Sequence, residues 1–439
     1  MSSGQAQSSE IQRNLPLDPP GLLARMAQIL KAETVMEHIV VIGAGQAGFS
    51  LVEHLRKGGH GGPITLIGNE PHPPYQRPPL SKAYLLGEMG VERLFFRPDG
   101  FYGEHDIALK TDVMAIEIDR AGQRVALSDG SQISYDRLAL TTGARPRLLP
   151  EAIGGALAGV YAMRSLADAD ALAPEFKPGA RVLIVGGGYI GLEAAAVAAK
   201  RGLNVVLIEA APRILQRVAS AETSDYFRAL HLAHGVDIRE NCALSRLVGE
   251  DGRVCRAELA DGSAMDVDFV IIGIGIAPDT ALAEAAGLEI DNGIACDAAC
   301  RTSDPLIFAA GDCASFPQAA GRMRLESVGN AIDMGAAAAS AMMGEDVTYT
   351  AAPWFWSDQY DCKLQIAGLS AGYEQIVTRQ GEGDAVSFWY YAKGRLLAVD
   401  AMNDPRAYMV GKRLIEAGKS PDAALVADAG VNLKTLLAG

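Results

Sequence analysis

The sequence carries one glycine pattern twice, as Gly43-Ala-Gly-Gln-Ala-Gly48 and as Gly186-Gly-Gly-Tyr-Ile-Gly191. Each copy follows a short apolar run and opens a helix-forming one. The first glycine (Gly43, Gly186) allows a tight turn. The second (Gly45, Gly188) lets backbone N–H groups approach a pyrophosphate, and the third (Gly48, Gly191) lets helix and strand pack closely. The helix N-terminus then offers its partial positive charge to the phosphates. A lone glycine loop can be a mere turn, but two copies in one strand–loop–helix context point to two dinucleotide sites.

The second copy has an acid where a ribose would need one. Glu209 closes the following strand, where its carboxylate would accept from a 2′-hydroxyl and repel a 2′-phosphate. Arg213 and Arg217 lie just beyond and could hold a phosphate, and the balance favours NADH over NADPH. In the first copy Gly68 stands at the acid's position and Glu70, two residues on, is expected to reach the ribose. Two nucleotide sites in one subunit suggest hydride passing from a nicotinamide to a flavin. Ile307-Phe-Ala-Ala-Gly-Asp-Cys313 supports the flavin, because a small-residue strand ending in Gly311-Asp312 can set a carboxylate against ribityl hydroxyls.

These groups need elements to hold them. Ile39–Ile42, Ile64–Ile67, Val182–Val185 and Val205–Ile208 read as buried strands, with helices over Phe49–Lys57 and Leu192–Lys200. Further strands are expected at Arg124–Leu127, Asp136–Thr141 and Asp268–Gly273. After Trp354 the texture changes to an antiparallel meander (Lys363–Ala367, Ala385–Tyr391, Arg395–Ala401) and a helix near Pro405–Ala417. Residues 1–37 read as an extension, with a helical apolar spacing at Leu22, Leu23, Met26, Ile29 and Leu30, and Met36 as an alternative start.

Composition narrows the class. Of 439 residues, 49% are hydrophobic and 21% charged, which excludes a disordered chain. The net charge of −14, with no basic stripe, argues against nucleic-acid binding. No apolar run reaches the roughly 20 residues of a membrane span. The six cysteines form no CxxC pair, and no secretory leader is evident, so a reducing, cytoplasmic setting is expected.

Several segments together resemble a known family: Pro74–Lys82, Gly186–Glu193, Gly273-Ile-Gly-Ile-Ala-Pro278, Ala310–Cys313, Glu326-Ser-Val328 and Pro353–Tyr360. They are similar to the NADH-dependent [2Fe–2S] ferredoxin reductases of oxygenase systems, within the glutathione-reductase-like FAD/NAD superfamily. The resemblance spans about residues 38–435. It implies an α/β fold with two Rossmann-like dinucleotide-binding domains and a C-terminal α+β domain. The FAD domain would be split (38–150 and 274–351), the NADH domain inserted (151–273), and the last domain (352–439) would cover the flavin. It further implies that Ala47, Glu70, Arg77, Lys82, Val113, Arg145, Asp312 and Val328 join the first glycines around FAD. Ile190 and Gly275 would join the second set around NADH. Asp279 and Gly329 depart from the family's usual residues.

The same resemblance gives the expected chemistry. Lys82 would stabilise negative charge on the reduced flavin, and a buried ammonium needs a carboxylate, for which Glu193 is the partner. Pro74–Lys82 holds no cysteine, so electrons should leave the flavin directly and singly, to a [2Fe–2S] ferredoxin serving a cytochrome P450 or ring-hydroxylating dioxygenase. Competing readings are a rubredoxin- or nitrite-reductase-type flavoprotein and an apoptosis-inducing-factor-like redox interaction protein. Trp356 is expected to shield the flavin edge and shape the dock, with Arg77, Arg97 and Arg322 as a basic rim. Core packing is the competing reading of both tryptophans, and it competes evenly only at Trp354.

Overall fold

The computed structural model describes residues 36–318 and 321–438. The apolar spacing at Leu22–Leu30 lies outside the described residues. Ile39–Ile42 is apolar at every position and buried at every position, as a strand covered on both faces must be. It is central in an all-parallel sheet of order 307–309, 137–140, 39–42, 64–67, 107–110. Helix α1 (Gln46–Lys57) follows the first glycine loop.

The second unit repeats the plan. Arg181–Val185 is central in a parallel sheet of order 237–240, 204–209, 181–185, 269–272, 160–162. Helix α2 (Tyr189–Lys200) leaves its glycine loop, and α3 (Ala221–Ala233) follows the next strand. The chain then returns to the first sheet through Ile307–Ala309 and lays α4 (Val328–Met342) against α1. That helix contact is close, since a Cβ on Gly335 would stand 2.7 Å from the Ala47 carbonyl oxygen.

The last unit is a five-stranded antiparallel sheet of order 354–359, 362–368, 395–402, 386–392, 375–380, packed by α5 (Pro405–Glu416). The fold is therefore the expected α/β arrangement of two Rossmann-like units with a C-terminal α+β unit. Two of the five strands were not legible beforehand. Trp354–Gln359 is aromatic on one stretch and polar on the next, and Gln375–Gln380 alternates on a half-exposed edge. Among the described residues no helix is long and apolar enough to cross a membrane.

Candidate functional site

The two glycine loops are near-copies in three dimensions. Gly43 and Gly186 hold φ of +111° and +110°, where an L side chain is strained. Cβ atoms there would lie 2.2 Å from the Thr141 carbonyl oxygen and 2.4 Å from that of Gly273. At Gly48 and Gly191 they would lie 2.0 Å and 2.1 Å from the carbonyl oxygens of Gly43 and Gly186. At Gly45 and Gly188 a Cβ would meet nothing within 4 Å. The outer glycines are thus demanded by the chain's own backbone, while the middle ones border open space. Both also N-cap their helices without any side-chain hydrogen bond, leaving the first N–H groups free to face an anion. The residues present fit two dinucleotide pyrophosphates.

Beyond the loops the crevices differ. Strand register puts Gly68 and Glu209 at equivalent places. Glu209 accepts the Gly187 N–H at 2.7 Å and the Ala211 N–H at 2.8 Å, which fixes the carboxylate at the mouth of the second crevice. In the first crevice a Cβ on Gly68 would stand 2.7 Å from the Ala44 Cβ. Glu70 lies further out, bound to Arg77 at 2.6 Å and accepting the Tyr75 hydroxyl at 2.5 Å. Val113 donates its N–H to the Gly68 carbonyl at 3.1 Å, beside them. Arg213 donates to the carbonyls of Ala219 and Ser220 at 2.8 and 2.9 Å, so it is not available to a phosphate. Arg217 is exposed, with its guanidinium 3.7 Å from where a Cβ on Gly275 would stand. Ile190, in the first turn of α2, is exposed.

Gly311 (φ +83°) brings its own strand end against α1, where a Cβ would be 2.8 Å from the Cβ of Ala47. Asp312 follows, paired with Arg164 at 3.1 Å. Burial pushes its carboxyl up, and the Arg164 guanidinium opposes that shift. Val328 opens α4, whose N-cap Ser327 accepts the Asn330 N–H at 3.2 Å. Arg145 is exposed and paired with Asp279 at 2.7 Å, which accounts for the acid at that unusual position.

Between the units sits the lysine–carboxylate pair. Lys82 Nζ is 2.7 Å from Glu193 Oε2, and the Glu193 side chain is 6% exposed. Ser81 donates to the same oxygen at 2.9 Å, and Ser357 donates to Oε1 at 2.8 Å. A buried carboxylate with an ammonium and two hydroxyls is fully satisfied. The pair therefore joins residue 82 of the first unit, 193 of the second and 357 of the third. Ser357 was not singled out from the sequence. Its strand alternates, so Ser357 and Gln359 share a face with Phe355, which packs on Tyr189 with ring centroids 4.9 Å apart. Trp354 and Trp356 take the opposite face and stack at 5.5 Å. Trp356 thus lies beside Trp354 and outside the Lys82–Glu193 cluster. It lines a 410 Å³ depression with Asp358, Lys363 and Asn403.

A scan of family models matches residues 37–335 to the pyridine nucleotide-disulphide oxidoreductases and residues 354–437 to the reductase C-terminal domain. The chain belongs to the pyridine nucleotide-disulphide oxidoreductase family. Within it, the chain is 42% identical to rhodocoxin reductase of Rhodococcus erythropolis, over 91% of this chain and 94% of that one. It is 44% identical to a ferredoxin–NAD(P)+ reductase of a Sphingomonas species, covering 86% and 92%. The reductase in the crystal structure of the covalent putidaredoxin reductase–putidaredoxin complex superposes with a TM-score of 0.88 at 39% identity, covering 92% of this chain and 98% of that one. Oxidoreductases of this family use FAD and NAD(P)H.

The three arginines expected to form a basic rim each have partners within the chain. Arg77 is held by Glu70 and the Arg164 carbonyl. Arg97 is ion-paired with Glu53 and lies over the rings of Phe49 and Phe101. Arg322 donates to the carbonyls of Cys296 and Ser315 at 2.7 and 2.5 Å. Each arginine keeps part of its side chain at the surface beside these partners. Besides Lys363, Lys412 accompanies the tryptophans, with its ammonium 5.4 Å from the Trp354 ring centroid.

Proposed function

We propose that this chain is a cytoplasmic NADH:ferredoxin oxidoreductase, passing electrons to a [2Fe–2S] ferredoxin that serves a cytochrome P450 or ring-hydroxylating dioxygenase. The observation that carries the reading is the buried Lys82–Glu193 pair, set where the two dinucleotide-binding units meet. The rhodocoxin, putidaredoxin and ferredoxin reductases it resembles bear names that state such an activity.

FAD, when bound, accepts hydride from the nicotinamide and gives up electrons one at a time. The chain's own residues do the rest. Gly43, Gly45, Ala47 and Gly48 with Asp312 would seat FAD, with Glu70, Arg77, Val113, Arg145 and Val328 around it. Gly186, Gly188, Ile190, Gly191 and Gly275 would seat the coenzyme, and Glu209 would select NADH. Lys82, anchored by Glu193, would hold a positive charge toward the flavin. The units would be a split FAD domain (38–150, 274–351), an NADH domain (151–273) and a covering domain (352–439).

The four buried thiols take no part in this scheme. Burial pushes the Cys296 thiol up to about 12 and the Cys362 thiol up to about 11, and raises Cys300 and Cys313 as well. Such thiols are inert as nucleophiles at neutral pH. The test is NADH-driven cytochrome c reduction with and without a panel of purified [2Fe–2S] ferredoxins. Strong ferredoxin dependence is expected, and equal rates without any ferredoxin would sink the proposal.

A further inference from the structure

Ser357 does not end at Glu193. Its oxygen accepts the Gln359 amide N–H at 3.1 Å, the Gln359 carbonyl lies 2.8 Å from His231 Nε2, and His231 Nδ1 lies 3.1 Å from the Tyr360 hydroxyl. Ser357, Gln359 and His231 are fully buried.

The direction of every bond is forced from the carboxylate end. A carboxylate only accepts, so Ser357 must spend its one proton on Glu193. Its oxygen must then accept from Gln359, which turns the amide's N–H₂ toward it and leaves the carbonyl for His231. His231 Nε2 must therefore carry the proton. Burial keeps the ring neutral, with its pKa held down to about 4, so Nδ1 is an acceptor and Tyr360 donates to it. The dipoles all point at Glu193. Lys82 is the charged group facing Glu193, and Tyr360 and His234 are the titratable groups facing His231.

Tyr360 reaches this place from a turn at φ +57°, a region a bulky residue rarely adopts. It stacks on His234 with centroids 3.6 Å apart. Strain of this kind persists where surrounding contacts require it.

We infer that His231 is a positioning residue for the Lys82–Glu193 pair, locking Gln359 and Ser357 so that Glu193 Oε1 is always occupied and Oε2 is left to Lys82 and Ser81. The inference rests on the reading that this pair faces the flavin. Without His231 the amide is free to turn, Ser357 loses its fixed direction, and the ammonium is held less firmly.

The experiment uses the FAD-loaded full chain in four forms: parent, His231→Leu, His231→Gln and Lys82→Met. Glutamine keeps a donor for Gln359 and an acceptor for Tyr360, whereas leucine keeps neither. The single-turnover rate of flavin reduction by NADH should fall about threefold to tenfold in His231→Leu, the range one net hydrogen bond represents, with the NADH dissociation constant little changed. The flavin potential should move negative, in the same direction as in Lys82→Met. His231→Gln should recover the parent rate and potential. If His231→Leu does not fold, Gln359→Met breaks the same chain and should give the same pattern. Equal behaviour of the leucine and glutamine forms, or no change in either, would overturn the role of His231. No change in Lys82→Met would instead overturn the flavin-facing reading of the pair.

Discussion

The indole nitrogen of Trp354 lies 2.3 Å from where a Cβ on Gly329 would stand, so the tryptophan occupies the space that the glycine leaves at the start of α4. The unusual glycine and the aromatic stack are one feature. Gly329→Ala should push Trp354 off its seat and lower stability by about 1–3 kcal/mol, the usual cost of overpacking. A change in the tryptophan near-UV circular dichroism checks the first effect, and thermal unfolding checks the second. An unaltered melting temperature would mean that the ring shifts freely.

Coenzyme choice should follow Glu209. Its removal loses a charged hydrogen bond to the ribose, worth roughly 1.5–3 kcal/mol, so Glu209→Ala should lower kcat/KM for NADH by about tenfold to a hundredfold. The gap to NADPH should narrow. Arg213→Ala, by contrast, should leave the NADPH rate alone, because Arg213 is spent on backbone carbonyls. Steady-state kinetics with both coenzymes separates the two residues.

The dock should involve the tryptophan face. Trp356→Ala and Lys412→Glu should slow ferredoxin reduction while sparing ferricyanide reduction by NADH, since a small acceptor needs no interface. The Lys412→Glu effect should shrink with salt, because exposed charges more than about 10 Å apart are screened at 0.1 M. Equal losses with both acceptors would place these residues in hydride transfer or in folding instead.

Two buried groups should give opposite pH slopes in stability. Burial holds His231 down to about 4, from an ordinary value of 6.5. Between those values the unfolded chain binds a proton that the native ring refuses, so native stability falls as pH falls. Burial pushes Asp400 up to about 6 from 3.8, against the hydrogen bonds of Tyr390 and Thr223. Between those values the native carboxyl keeps a proton that the unfolded chain releases, so native stability falls as pH rises. At about 1.4 kcal/mol per pH unit, each effect amounts to about 3 kcal/mol and the two largely offset each other. Melting temperatures between pH 4 and 6.5 should show His231→Gln gaining on the parent toward low pH and Asp400→Asn gaining toward high pH. Parallel profiles for all three proteins would refute both assignments.

Much of this was legible because the glycine loops are contiguous. Six neighbouring residues encode a turn, a close approach and a packing contact, and local sequence suffices for all three. The Lys82–Glu193 pair needed the family resemblance, since nothing local joins positions 111 residues apart in different units. Ser357, Gln359 and His231 were missed because each is an ordinary polar residue until the third unit folds onto the second. The period-2 alternation of Trp354–Gln359 could have placed Ser357 and Gln359 on one face. It could not have shown what that face meets. The partners of Arg77, Arg97 and Arg322 were hidden for a related reason, since a formal charge in sequence says nothing of the carbonyl or carboxylate already bound to it.

The contrast between Ala44–Gly68 and Gly187–Glu209 has one further consequence. In each crevice the residue after the first glycine and the residue closing the next strand share one volume, so they cannot vary independently. Gly68→Glu alone would drive its Cβ into Ala44, and Gly187→Ala alone would bring a methyl within 2.7 Å of Ile214 and 3.2 Å of the Glu209 carboxylate. Any conversion of one crevice toward the other's ligand must therefore be made as a coupled double change, Ala44→Gly with Gly68→Glu. The two steps should be non-additive, with the second rescuing part of what the first destroys.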